Sequence, residues 1–135
     1  MVLSEAARPA VVANPGVIRW LEARPAADLA ISVLTLGEIR KGAELLPDGK
    51  RRERLRAWLR SELPAQFEDR VLPITPAVAL AWGRLAAEAQ RSGRPLHVVD
   101  GLLLATAEVH GLTLVTRNVG DFRDRGLPVE NPYSP

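Results

Sequence analysis

Short apolar runs alternate with longer stretches of helical periodicity along this chain. Leu29 to Leu34 is short, apolar and partly β-branched, which is typical of a strand buried on both faces. From Thr35 the apolar residues instead recur at intervals of three and four, which predicts a helix that ends at the Pro47-Asp48-Gly49 turn. This alternation favours a parallel sheet covered by helices on both faces, with ligands bound at the carboxyl ends of the strands.

The same alternation predicts the remaining elements. Pro73 lacks the N–H that a ladder requires, so the strand that contains it is expected to end there or to lie at a sheet edge. We expect one domain over residues 1–135. The other predicted elements are a helix from Asn14-Pro15, a basic helix after Gly49, a strand over Val71 to Ile74, a helix from Thr75-Pro76, a helix over Asp100 to His110 closed by Gly111, and strands over Leu112 to Thr116 and Leu127 to Glu130.

The amino-acid composition excludes several classes of function for this chain. The chain has no cysteine, which excludes a disulfide framework, a zinc ribbon and a thiol nucleophile and favours a reducing, cytoplasmic compartment. No apolar run is long enough to cross a membrane, so no membrane association is expected. The sequence also lacks a nucleophile elbow and a glycine-rich phosphate loop, which argues against acyl transfer and nucleoside triphosphate hydrolysis.

Basic residues crowd one segment of a chain whose net charge is only +2. Such a cluster suits contact with a phosphate backbone, with Arg51 and Arg52 as candidate nucleic-acid contacts. The alternative is a solvated helix face with Glu53 and Glu62 as local partners, and the sequence leaves both interpretations open. The cluster consists of Lys50, Arg51, Arg52, Arg54, Arg56 and Arg60.

Three acidic residues have comparable positions. Glu38 and Asp121 follow predicted strands that end at Leu34 and Thr116, and Asp100 directly follows the run His97-Val98-Val99. They are therefore expected to converge on one edge of the sheet. Convergent carboxylates hold Mg²⁺ or Mn²⁺, and such an ion activates water and stabilises the charge that develops on a phosphodiester. Metal-dependent hydrolysis of nucleic acid is the reaction class that this arrangement favours.

Each carboxylate also has a purely structural explanation. Thr35 and Glu38 have the spacing of a capping box, and Asp100 has the position of a helix N-cap. Asp121 lies in a segment of turn-forming residues. Only the occurrence of all three at strand ends favours a site.

Polar residues near the last acid extend the candidate site. The amide of Asn118 suits a metal ligand, a bridging water or a left-handed turn, while Thr116 and Arg117 suit contacts with a metal-bound water and a phosphate. His97 and His110 are expected to be structural. The three tryptophans lie at helix-stripe spacing and are expected to pack in the core or an interface.

Three segments together resemble the PIN domain of VapC-type toxins, and the resemblance covers nearly the whole chain. It implies an α/β/α sandwich, a Mg²⁺- or Mn²⁺-dependent endoribonuclease, a homodimer, and a VapB-type antitoxin that blocks the active site. Glu38 and Asp100 match the family's acidic metal-site residues, whereas Asn118 and Asp121 match a fourth position filled by an acid or an asparagine. The segments are Ile31 to Gly42, Val99 to Ala107 and Leu114 to Phe122.

The chain departs from the family at its beginning. Family members open with a central strand that ends in Asp-Thr-Asn, and Met1 stands where that Asn belongs. We therefore expect the central strand and the first metal-binding aspartate to be missing, either because the true start lies upstream or because this is a degenerate member. The alternative functions are a catalytically dead antitoxin-binding module and a PIN-like nuclease acting on structured DNA.

Overall fold

The computed structural model describes residues 10–12, 29–116 and 119–130. The strands within these ranges form one sheet, in the order β3-β2-β1-β4-β5, and every neighbouring pair is parallel. The predicted parallel sheet is therefore confirmed. The strands are β1 (Ala10–Val12), β2 (Leu29–Ser32), β3 (Val71–Leu72), β4 (Thr113–Val115) and β5 (Val129–Glu130).

The central position of the sheet is occupied by β1. Ala10 pairs with Leu29 on one side and with Thr113 on the other. The expectation of a gap at the centre of the sheet is therefore wrong. Ala13 and Asn14 follow β1 in the sequence, however, so β1 does not bring the aspartate that ends the family's central strand. A three-residue apolar run gives too short a pattern to predict a strand, although two β-branched valines suit one.

Helices follow the strands in chain order. The predicted helix that begins at Asn14-Pro15 lies outside the described residues. The longest described helix has 16 residues, and within the described ranges no helix combines the length and apolar character needed to span a membrane. The helices are α1 (Val33–Leu45), α2 (Lys50–Ala57) with a π-helical continuation (Trp58–Glu62), α3 (Leu63–Phe67), a 3-10 turn (Glu68–Arg70), α4 (Pro76–Arg91), α5 (Val98–His110) and α6 (Val119–Phe122).

Local signals set most of the helix boundaries. Thr75 caps α4 by accepting a hydrogen bond from the Val78 amide at 3.2 Å, and Gly111 ends α5 in a left-handed conformation, both as predicted. The start of α1 differs from the prediction, because Ser32 is its N-cap and accepts a hydrogen bond from the Leu34 amide at 3.0 Å. Thr35 lies buried inside the helix.

Two apolar clusters cover the two faces of the sheet. In β2, Leu29 and Ile31 belong to one cluster and Ala30 to the other, as the alternation of a strand requires. The first cluster contains Phe67 and the second contains Leu104, both fully buried. Helices α1 and α3 thus lie on one face and α4 and α5 on the other, which confirms the three-layer α/β/α sandwich.

Candidate active site

Asp100 lies in the first turn of α5, the helix that precedes β4 in the chain. His97 is the N-cap of this helix, so the prediction that Asp100 is the cap is wrong. Burial, followed by the negative charge of Asp121, raises the pKa of the half-buried Asp100 carboxyl, whereas His97 opposes the rise. Asp100 and Asp121 are therefore close enough to repel one another.

Glu38 is the sixth residue of α1 and is partly buried. Burial, followed by the charge of Asp100, raises the pKa of its carboxyl, and Lys41 and His97 oppose the rise. The capping-box explanation is wrong, because Ser32 rather than Thr35 caps the helix. The position of Glu38 is thus left without a helix-capping role.

Asp121 is exposed and lies in the short helix α6 rather than in a simple turn. Its main-chain carbonyl accepts a hydrogen bond from Nε of Arg125 at 2.7 Å. Its negative charge contributes to the raised pKa of Asp100. Asp121 therefore lies close enough to Asp100 for their charges to interact.

Asp100 interacts electrostatically with both of the other acidic residues of the candidate site. It couples to Glu38 and to Asp121, but the described part of the chain gathers no group of three acidic or histidine residues into a metal-binding cluster. Mg²⁺ is often held by only one or two carboxylates, with water and substrate phosphates completing its coordination. The donor set around Asp100 fits a site of this kind.

The other predicted site residues near β4 are placed only in part. Thr116 is fully buried, and its amide donates a hydrogen bond to the Glu130 carbonyl at 2.9 Å, so its main chain joins β4 to β5. Arg117 and Asn118 lie outside the described residues. Their predicted roles stay predictions.

His97 is a neighbour of the acidic pair that sequence reasoning assigned only a structural role. It is exposed at the start of α5, and its charge favours the ionised forms of both Glu38 and Asp100. The sequence feature that could have identified it is its position three residues before Asp100, at the N-terminus of a helix that follows a turn. His97 therefore belongs to the electrostatic surroundings of the acidic site.

The basic segment is largely engaged with acidic residues. Arg52 donates to Glu44 at 3.0 Å and also to Asp48, and Nε of Arg56 donates to Glu44 at 2.9 Å. Arg56 and then Arg52 hold the pKa of the Glu44 carboxyl far below its ordinary value. Glu53, a partner expected from the sequence, does accept from Arg56 at 3.0 Å, but Glu44 on α1 was not foreseen.

Arg51, the other candidate nucleic-acid contact on α2, is exposed. Glu44, which anchors the basic segment to α1, follows Glu38 by six residues and so lies roughly 9 Å farther along the helix axis. Arg52 therefore binds α1 near the end that is remote from the acidic site, whereas Arg60, at the other end of the basic segment, lines a pocket together with Arg40.

Comparison with known proteins places this arrangement in a family. The model of the PIN domain matches residues 14–126. The chain is 33% identical to "Toxin FitB" from Neisseria gonorrhoeae over 132 residues, which is 98% of this chain and 94% of that protein. It is 34% identical to "VapC ribonuclease Y4jK" from Sinorhizobium fredii over 119 residues, which is 88% of this chain and 85% of that protein.

A solved structure shares the fold closely. The crystal structure of FitAcB from Neisseria gonorrhoeae superposes with a TM-score of 0.82 at 28% identity, over 93% of this chain and 99% of that one. The family match spans the segments that carry Glu38, Asp100 and Asp121. The chain therefore belongs to the PIN-domain family, among its VapC-type toxins.

Proposed function

We propose that this protein is a divalent-metal-dependent endoribonuclease and the toxin of a type II toxin–antitoxin pair. The observation that carries the proposal is the half-buried carboxylate of Asp100 at the start of α5, close to the negative charges of Glu38 and Asp121. Such an arrangement is costly unless a cation compensates it. Further support comes from the names of the two relatives, one a toxin and the other a ribonuclease.

Asp100, together with Glu38 or Asp121, would hold Mg²⁺ or Mn²⁺. When bound, the ion would generate a nucleophile from water and stabilise charge on the phosphodiester. Asp100 presents its carboxylate at the amino end of α5, where the helix dipole favours an anion. The charge of His97 lowers the pKa of both Glu38 and Asp100 and so opposes the effect of their burial.

Contacts with RNA would come from two regions. Thr116, Arg117 and Asn118 follow β4 in the chain and are proposed to contact the phosphate or support the metal site. Arg51 and Arg52 on α2 are proposed to hold the RNA backbone at a distance from the cleaved bond. Arg51 suits this role better, because the guanidinium of Arg52 is engaged by Glu44 and Asp48.

The proposed partners are a VapB-type antitoxin and a second copy of the chain, and the proposed compartment is the cytoplasm. The antitoxin is expected to cover the edge of the sheet where Asp100 lies. A catalytically dead module would keep this interaction without cleaving RNA. The incomplete ligand cluster in the described ranges is the observation that favours this alternative.

Cleavage assays with Asp100→Asn test the proposal. Wild-type protein is expected to cleave single-stranded RNA with Mn²⁺ or Mg²⁺ and to stop when a chelator is added. Asp100→Asn should lose more than about 100-fold in rate. Changing a residue that only orients a metal ligand already costs about 10–100-fold, and loss of the ligand itself should cost more. Asp69→Asn is the matched control, since Asp69 is exposed in the 3-10 turn and should retain activity.

The remaining outcomes separate the alternatives. Full activity in Asp100→Asn contradicts the proposal. Antitoxin binding without metal-dependent cleavage identifies a dead module, and cleavage of flap DNA but not of RNA identifies a nuclease for structured DNA.

A further inference from the structure

Two arginines outside the acidic site bind main-chain carbonyls around α6. Arg94 lies in the loop between α4 and α5, and it donates to the carbonyls of Gly120 at 3.2 Å and Arg123 at 3.0 Å. Arg125 follows α6 and donates to the carbonyls of Asp121 at 2.7 Å and Arg94 at 3.1 Å. Arg94 therefore joins the loop before α5 to α6 and to the residue just after α6. Arg125 joins the chain after α6 to α6 and to that same loop.

Helix α6 depends on such outside contacts for its position. It has only four residues, and isolated helices of this length are not stable in water. Its last carbonyls carry the negative end of the peptide dipoles, which cations stabilise. Charge-assisted hydrogen bonds from planar guanidinium groups also fix direction as well as distance.

The same contacts reach the segment that leads to Asp100. The amide of Arg94 donates to the Ala89 carbonyl at 2.9 Å, which anchors the loop to the end of α4. The chain then enters α5 after His97, and Asp100 lies in the first turn. Arg94 and Arg125 thus connect the approach to Asp100 with the helix that carries Asp121.

These arginines do not form a built anion site. The groove beside them is also lined by Glu88 and Asp124, whose carboxylates would repel a phosphate. The four hydrogen bonds described above go to main-chain oxygens instead. Their geometry points to a role in holding the backbone.

We propose that Arg94 and Arg125 are positioning residues that fix Asp121 relative to Asp100 and so set the affinity for the divalent ion. This inference rests on the proposed function, because it requires Asp100 and Asp121 to share that ion. Neither arginine is expected to contact the ion or the RNA. Their effect passes through the main chain of α6.

The test measures Mn²⁺ affinity by calorimetry in the full chain, without any nuclease assay. Arg94→Ala and Arg125→Ala are expected to raise the Kd by roughly 10–100-fold, as outer-shell changes do. Arg123→Ala is the matched control. It removes a charge from the same segment but keeps the carbonyl that Arg94 uses, so the Kd should change by less than about twofold.

Two further variants distinguish positioning from general stability. Arg125→Lys keeps the charge but loses the forked donor geometry, so it should also weaken Mn²⁺ binding while remaining folded. In an Asp121→Asn background, Arg125→Ala should weaken binding no further, because the residue through which it acts is already lost. Additive effects in that background would contradict the inference.

The two proposals fail in different ways. Equal Mn²⁺ binding by wild type and Asp100→Asn, or no binding by either, overturns the proposed function and this inference together. Binding that requires Asp100 but is unchanged in folded Arg94→Ala and Arg125→Ala overturns this inference alone.

Discussion

A Cβ atom placed on Gly101 would lie 2.8 Å from Cδ1 and 2.9 Å from Nε1 of the Trp82 indole. Gly101 in α5 therefore contacts Trp82 of α4 so closely that a larger residue fits only if the indole shifts. Trp82 packs against the core cluster on this face of the sheet. Because Asp100 directly precedes Gly101, this contact also fixes the first turn of the helix that carries the acidic site.

Gly101→Ala is expected to destabilise the protein by about 1–3 kcal/mol, because the added methyl group overpacks the contact with Trp82. Gly83→Ala in α4 is the control, since a Cβ there meets nothing within 4 Å. That substitution should be neutral or stabilise by up to about 1 kcal/mol through helix propensity. Urea unfolding of both variants checks the prediction, and equal stability of Gly101→Ala and wild type would contradict it.

The acidic pair is expected to lower stability when no metal is bound. Since the pKa values of Glu38 and Asp100 are raised on folding, the folded state holds more protons between the ordinary and raised pKa values. The free energy of unfolding should therefore fall as the pH rises through that window and stay lower above it. Asp100→Asn should stabilise the metal-free protein at neutral pH, by less than about 1 kcal/mol because water screens a half-exposed group.

Thermal unfolding across pH, with and without Mn²⁺, measures this effect. The advantage of Asp100→Asn should vanish at acidic pH, where the wild-type carboxyl is protonated. Added Mn²⁺ should reverse the order, since it stabilises only the protein that binds it. An Asp100→Asn variant less stable than wild type at neutral pH without metal would show that burial of this carboxylate is not costly.

Glu44 is expected to stabilise the packing of α2 against α1. Its pKa is held far below the ordinary value by Arg56 and Arg52, so its contribution is fully present above about pH 4.3 and is lost as the pH falls toward the depressed pKa. Glu44→Gln should lower the Tm at neutral pH. The difference from wild type should shrink in acid and in about 1 M salt, which screens exposed charges.

Glu68→Gln serves as the control for Glu44→Gln. Glu68 is exposed in the 3-10 turn, and its substitution should change the Tm little at any pH. If the difference in Tm between Glu44→Gln and wild type persists unchanged in high salt, the stabilisation by Glu44 is not ionic.

Ser32→Ala is expected to cost about 0.5–2 kcal/mol, because the amide of Leu34 loses the side-chain oxygen that caps α1. Ser61→Ala is the control, because Ser61 is exposed and its hydroxyl only donates to the Ala57 carbonyl. Chemical denaturation should show no more than about 0.5 kcal/mol for that change. Equal losses in the two variants would argue against the cap.

Sequence patterns predicted the elements whose signals are local. Thr75 with Pro76 marked the start of α4, Gly111 marked the end of α5, and Pro73 marked an edge strand, because each acts through its own backbone. Ser32 was missed as a cap because it continues an apolar run, and the later Thr35 presented a more familiar pattern. Local chemistry alone does not decide between two neighbouring hydroxyl residues.

Contacts between segments that are distant in the chain were harder to predict from the sequence. Asp100 and Glu38 were predicted to meet because both were expected to follow strand ends. Their electrostatic coupling agrees with the meeting, but only Glu38 follows a strand, because Val98 and Val99 belong to α5 and the loop before them follows α4. The attachment of Arg56 to Glu44 depends on how α2 folds back against α1 after Gly49, which no periodicity encodes. The links from Arg94 to α6 likewise join residues far apart in the chain to main-chain atoms, which have no sequence signature.

The pairing of β1 has a consequence for the order of folding. Ala10 must meet Thr113, so the sheet cannot close around its middle strand until β4 has been synthesised, long after β1. Before that point, β1 can pair with β2 while its other edge remains open to unwanted strands. The nascent chain should therefore be most prone to aggregation in the interval between the synthesis of β2 and that of β4.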